Sequence, residues 1–183
     1  AERIKNDFAE FTCNNPAFSL SGGIAILSPK YPIMKGAEES ANEESAAKNH
    51  HCQSATKNSI SFMGMPLNWD DEFPIVKKLK SELVRLLNLN NNQLPKSFLS
   101  KLLMHHANAG IVNHKITKPK TYWMLTYDLS RMKSRYNPEV SSLLDNCIKE
   151  ICNPCGKLNG MDIRTDYHAL ELWAFAARWA ELE

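Results

Sequence analysis

Apolar residues recur at helical spacing at the start of the chain. Ile4, Phe8 and Phe11 share a face before the turn-forming Asn14-Asn15-Pro16, so the spacing predicts a helix over residues 1–13. The apolar run from Phe18 to Leu27 predicts a strand. Gly36 to His50 is rich in Ala and Glu with only small apolar residues, the pattern of a surface helix. His50 to Lys57 has no period and reads as a loop, and SISFMG, Ser59 to Gly64, alternates like a second short strand.

From Leu67 onward the period changes. Asp70-Asp71-Glu72 place negative charge where a helix would begin, and Val76, Leu79, Leu83, Leu86 and Leu87 supply its apolar stripe. Pro95 suits the first turn of the next helix, with Phe98, Leu99, Leu102 and Leu103 facing inward. Thr121 to Leu129 carries β-branched and aromatic residues that would also suit a strand, and is read as a helix. Pro138 and Glu139 open another helix, with Val140, Leu143, Leu144, Cys147, Ile148 and Ile151. The last is predicted from about Asp162 to Leu182, carrying Tyr167, Leu170, Trp173, Ala174, Ala177 and Trp179. The chain is therefore α+β, a strand-containing piece over residues 1–66 followed by a helical domain over residues 67–183. Two strands alone are marginal in water, so partner strands are expected from outside this chain or from another subunit.

Composition adds three points. A hydrophobic fraction of 43% and a charged fraction of 23% are those of a globular chain, not a disordered one. No apolar run is long enough to cross a bilayer, and the N-terminal stretch is amphipathic rather than a signal peptide, so a cytoplasmic protein with no membrane partner is expected. The chain begins at Ala1, inside a helical pattern and without an initiator methionine, which suggests an excised fragment or a processed product. Charge is uneven: residues 1–70 hold 6 Lys/Arg against 8 Asp/Glu, and residues 71–183 hold 16 against 12, so a polyanion-facing surface belongs in the second part.

The candidate chemistry starts at Ser21-Gly22-Gly23. Glycines weaken a strand unless the missing side chains make room for another backbone or for a ligand, and Ser21 adds a hydroxyl beside them. Lys30 sits where the strand gives way to a turn, a place to hold a cation towards a phosphate. On residue chemistry alone, glycines that accommodate helix packing and a solvated Lys30 explain the stretch as well.

Five cysteines, Cys13, Cys52, Cys147, Cys152 and Cys155, show no disulfide framework. Cys147, Cys152 and Cys155 with His168 or His114 would make a zinc site, but a pair of buried thiols on a helix fits the first two better. The pairs His50-His51 and His105-His106 point in different directions on a helix and are not natural two-ligand sites. Lys115, Lys118, Lys120, Arg131, Lys133 and Arg135, against Asp128 alone and interleaved with Tyr122, Trp123 and Tyr127, suit either a nucleic-acid strand or a solvated helix with buried aromatics. Glu38, Glu39, Glu43 and Glu44 read as a solvated face, with no metal assigned.

In their order, SLSGGIAIL, KYPI, an acidic Ala-rich helix ending AAK, KNSISFMG, MPLNW and a terminal AARWAEL resemble the large subunit of type III-A CRISPR effector complexes, the Csm branch of the Cas-ten family. The resemblance covers essentially the whole chain. It implies that residues 1–66 are the latter half of a ferredoxin-like, GGDEF-type second palm domain, and residues 67–183 an all-α C-terminal domain. In that family a GGDD motif upstream of the first helix binds divalent metal and polymerises ATP into cyclic oligoadenylates, with one ATP 3′-hydroxyl attacking the α-phosphate of another. The sequence contains no Gly-Gly-Asp-Asp. Catalytic residues, Mg2+ or Mn2+ ligands, and the HD domain that carries single-strand DNase activity are thus expected upstream, and the chain alone is expected to be inactive.

The resemblance also implies an ATP-facing role for Ser21, Gly22, Gly23 and Lys30, and for Lys48, which matches the lysine of the Ala-Lys motif in the GGDEF relatives. Implied partners are the rest of the large subunit, the small subunit and other Csm-type subunits, and guide and target RNA. A non-catalytic protein- and RNA-binding scaffold module is the alternative.

Overall fold

Ile4, Phe8 and Phe11 do share one face of a helix, α1 (Glu2–Phe11), but no α1 residue is buried: Ile4 and Phe11 are exposed. The computed structural model describes residues 1–52, 55–88, 94–152, 157–158, 161–162 and 167–182. It divides into two units, Ala1–Phe73 and Pro74–Glu183.

In the first unit, the predicted strand over residues 18–27 is paired only at β1 (Gly22–Ile24). Its one neighbour among the described residues, β4 (Ser59–Phe62), runs parallel to it in the register Gly22 to Ile60, Gly23 to Ser61 and Ile24 to Phe62. A ladder is no longer than its shorter partner allows, so the flanking apolar residues Phe18, Ile26 and Leu27 stay unpaired and exposed. β4 turns back antiparallel into β5 (Met65–Asn68), which completes the sheet order β1-β4-β5. Met63 and Gly64 both have positive φ, 54° and 81°, the two-residue hairpin geometry that glycine favours. β5 is not expected from the sequence, since Pro66 lacks the N–H that a central strand needs. Proline is nonetheless tolerated at an edge, which is where β5 lies.

Helix α2 (Ile33–Asn49) lies on this sheet and starts earlier than expected, immediately after Pro32, which supplies the extended N-cap backbone. Gly36 and Ala47, the small residues of its inner face, are its buried positions. The stretch read as a loop holds a minimal hairpin, β2 (His51–Cys52) with β3 (Ala55–Thr56). Asp70 and Asp71 precede the next helix rather than entering its first turn. The Asn68 side-chain oxygen accepts from their backbone N–H groups at 2.9 and 3.2 Å, forming an Asx turn that leads into the helix.

Helix α3 (Phe73–Asn88) carries the buried stripe Val76, Leu79, Leu83 and Leu86. The rest of the second unit is α4 (Lys96–Asn108), α5 (Lys120–Lys133), α6 (Pro138–Cys152) and α7 (Ala169–Ala180). It is not purely helical as expected: β6 (Ile111–Val112) pairs with β7 (Lys115–Ile116), and β8 (Lys157–Leu158) with β9 (Met161–Asp162). Asn113 and His114 take positive φ, 47° and 57°, between β6 and β7, a turn that asparagine tolerates. Thr121 to Leu129 is helical because Thr121, Leu125, Leu129 and Met132 recur on one buried face.

α7 is buried on nearly every side, with Leu170, Leu172, Trp173, Phe175 and five alanines as its core residues, the pattern of a central helix. It packs against α4 and α6. Its start is fixed by His168, whose Nδ1 accepts from the Leu170 N–H at 3.1 Å, while the Glu171 carboxylate accepts from the His168 N–H at 2.8 Å. The His168 Nε2 lies 3.3 Å from the Tyr122 hydroxyl.

This reciprocal cap needs a neutral His168. Burial pushes the His168 pKa below its ordinary value, with Glu171 opposing. The unfolded chain therefore takes up the proton first as pH falls, so the contribution is complete above about pH 6.5 and is lost as pH drops through the lower folded value. Burial lowers His106 in the same direction. The urea midpoint of the chain is expected to fall between neutral and mildly acidic pH. In His168→Asn, which keeps a capping oxygen without a titratable ring, the slope should be shallower. An equally steep slope in the variant would remove His168 as its source.

Candidate nucleotide-binding site

Gly23 is required by packing. Its alternate-face neighbour in the register is Ser61, and both face α2. A Cβ on Gly23 would lie 2.6 Å from the Glu43 carbonyl carbon and 2.8 Å from the Glu44 Cα, closer than real Cβ atoms approach backbone. Glu43 exploits this approach: its carboxylate accepts from the Ser61 hydroxyl and, at 2.7 Å, from the Gly64 N–H of the β4–β5 turn. Of the acidic cluster read as a solvated face, Glu43 is thus a structural strap between α2 and the hairpin. Gly22 faces the other way, and a Cβ there would meet nothing within 4 Å.

On the Gly22 side a cleft of about 300 Å³ is lined mainly by Ile4, Leu20, Ile24, Ile60 and Trp69, together with Ser21 and the two glycines. The Ser21 Oγ is buried and, among the described residues, has no hydrogen-bond partner. A buried hydroxyl without a partner costs free energy, and a ligand oxygen or nitrogen would satisfy it.

The two lysines fall at opposite ends of α2. Gly23 packs against Glu43 and Glu44, whereas Leu27, further along the chain, meets Gly36, so the segment from β1 runs antiparallel to the helix. Lys48 is one turn beyond Glu44, beside the Ser21–Gly23 end. Lys30 precedes the helix N-terminus, roughly 20 Å away along α2 at 1.5 Å rise per residue. The structure therefore brings Ser21, Gly22, Gly23 and Lys48 to one end and leaves Lys30 at the other. Lys48 Nζ is ion-paired with Glu44 at 2.6 Å, both side chains being about half exposed. Such a pair contributes about 0–1 kcal/mol, so a phosphate could displace the carboxylate at little cost.

Other candidates separate. Cys147 is buried, and burial pushes its thiol pKa well up, whereas Cys152 is exposed, and Cys155 lies outside the described residues. His168 Nδ1 is engaged in the α7 cap and its Nε2 lies 3.3 Å from the Tyr122 hydroxyl, and His114 Nδ1 faces the Glu171 carboxylate at 3.2 Å. Among the described residues no group of three or more His, Cys, Asp or Glu side chains is placed to hold a metal ion. The histidine pairs diverge as expected: His50 Nε2 meets Glu72 at 2.7 Å and His105 Nε2 meets Asp128 at 3.0 Å, both at buried positions on one partner or the other, while His51 is exposed. Among the described residues no helix is long and apolar enough to cross a membrane.

Residues 1–61 match the model of the second palm domain of Cas10/Cmr2. A curated protein of Methanocaldococcus jannaschii, the CRISPR system single-strand-specific deoxyribonuclease Cas10/Csm1 (subtype III-A), is 33% identical over 79 residues, 39% of this chain. The match spans 10% of the length of that relative.

Proposed function

We propose, for a chain that resembles the C-terminal part of a Cas10 large subunit, that it belongs to a type III-A CRISPR effector subunit that makes cyclic oligoadenylates from ATP when target RNA is bound. In this reading residues 1–66 are the latter half of a ferredoxin-like palm, and residues 67–183 are the domain that docks in the ribonucleoprotein. The observation that carries the site is the start of β1, where the buried Ser21 Oγ has no hydrogen-bond partner among the described residues and Lys48 follows one turn after the Gly23 contact with Glu43 and Glu44 of α2, Gly22 opening on the opposite face of the strand.

The reaction forms a bond from a 3′-hydroxyl oxygen to an α-phosphorus, breaks the α–β phosphoanhydride and releases pyrophosphate, the hydroxyl proton passing to a base. Divalent metal, held by residues upstream of this chain, would activate the hydroxyl and offset charge on the phosphates. The residues of this chain would bind and orient. Ser21 would hydrogen-bond the nucleotide and Lys48 would exchange Glu44 for the triphosphate and the departing pyrophosphate at the α2 side, while Gly22 leaves the opposite face of the strand open. Lys30, at the far end of α2, would have to act on a different part of the assembly.

The test is made in the whole large subunit within its complex, with ATP, divalent metal and target RNA. Lys48→Ala is expected to lower cyclic oligoadenylate yield roughly tenfold, less than for a buried donor because the lysine is half exposed. Lys30→Ala should leave the yield within about twofold, and both variants should bind target RNA normally. An unchanged yield in Lys48→Ala would remove that residue from the site.

A further inference from the structure

Helix α5 buries Thr121, Leu125, Leu129 and Met132, and its opposite side is not simply polar. Trp123 is 79% exposed, Tyr127 60% and Met124 45%. Together with Lys120 and Arg131 they follow helical spacing, forming one continuous row about 16 Å long at 1.5 Å per residue. Single exposed apolar residues are ordinary on protein surfaces, but a Trp, a Met and a Tyr on one unburied row are not. Of the aromatics in this segment, only Tyr122 turns inward, towards His168.

We propose that this row is a stacking surface for single-stranded RNA. The Arg131 guanidinium lies 5.5 Å from the Tyr127 ring centre and donates to its hydroxyl at 3.2 Å, so a second planar group is held beside the ring. Unpaired bases stack on aromatic faces and on guanidinium planes, and single strands are where RNA offers such bases.

Charge decides between this occupant and an apolar protein surface. Lys115, Lys118 and Lys120 at one end of the row and Arg135 at the other are exposed, with no ion pair among the described residues. Asp128, the one acid between residues 115 and 135, is already held by Lys101 at 3.3 Å and His105 at 3.0 Å. A protein laid on the aromatic row would leave these cations uncompensated, whereas an RNA strand brings bases for the rings and phosphates for the lysines. The inference concerns the second unit and is independent of the nucleotide site on the first.

Anisotropy of a labelled oligouridine of about ten nucleotides, titrated with the full chain at low salt, tests this. Trp123→Ala is expected to weaken binding roughly tenfold or more, and Trp123→Phe only about threefold. Lys118→Ala should reduce the salt slope by about one phosphate contact. The side chains are exposed, so circular dichroism should show the variants folded. The proposal is overturned if the wild-type chain does not bind. It is also overturned if Trp123→Ala/Tyr127→Ala binds as the wild type does, or if the DNA oligomer of matching sequence binds more tightly. Concentration-dependent self-association that the same double substitution abolishes, without RNA binding, would instead assign the row to protein contacts.

Discussion

Gly23→Ala is expected to lose about 3 kcal/mol of stability, at or above the upper end of ordinary overpacking, while Gly22→Ala is neutral or gains a few tenths of a kcal/mol. The two positions are adjacent in sequence and differ only in what their missing Cβ would meet. At Gly23 it would meet the backbone of Glu43 and Glu44, which cannot swing aside as a side chain does. To admit a methyl group, α2 must lift from the sheet, and the Glu43 bonds to Ser61 and the Gly64 N–H are then stretched as well. At Gly22 there is space, and φ is not in the left-handed region, so alanine only reduces the freedom of the unfolded chain. Urea unfolding of the two variants settles it: equal midpoints would mean that the close approach of β1 and α2 carries no energetic weight. The pair also separates structure from ligand binding, because Gly22→Ala narrows the cleft without disturbing the helix.

Trp173→Ala is expected to be costlier, about 4 kcal/mol, within the range for removing a buried tryptophan. Trp173 is 2% exposed in α7, and its indole N–H donates to Glu150 at 2.8 Å. Truncation both empties the centre of the helical unit and leaves that carboxylate without the donor. Against a typical total of about 5–15 kcal/mol this is a large share, so the variant is expected to unfold at much lower urea or to be found partly unfolded. Trp173→Phe, which keeps most of the volume and loses the N–H, should cost about 1–2 kcal/mol and remain folded. A Trp173→Ala chain with an unchanged midpoint would show that the core does not depend on this contact.

Helices with a sustained apolar face were legible in the sequence. Val76, Leu79, Leu83 and Leu86, and Val140, Leu143, Leu144 and Cys147, are buried as their spacing requires. Strands were legible only in part. β1 was overextended because an apolar run says nothing of how far a neighbouring strand reaches, and β5 was hidden by Pro66, whose tolerance depends on its place at the sheet edge. The two-residue hairpins carried a signal in Asn113 and in Gly64, but so short a pairing has no period to detect.

The candidate site was half visible. Ser21-Gly22-Gly23 stood out as chemistry out of keeping with a strand, yet only coordinates separate Gly23, held by helix packing, from Gly22, which opens on a cleft. Nor does sequence give the length of α2 that lies between Lys30 and Lys48. Glu43 was unreadable as a strap, since its partners lie on β4 and in the turn after it, far along the chain.

The central position of α7 has a consequence for the order in which the chain is made. α4 and α6 leave the ribosome before the helix that packs against both, so their apolar faces must wait for residues 169–180 before the core can close. For that interval the nascent helices offer uncovered Leu and Phe side chains to any chaperone or neighbouring chain, and the unit is expected to fold in one late step rather than helix by helix.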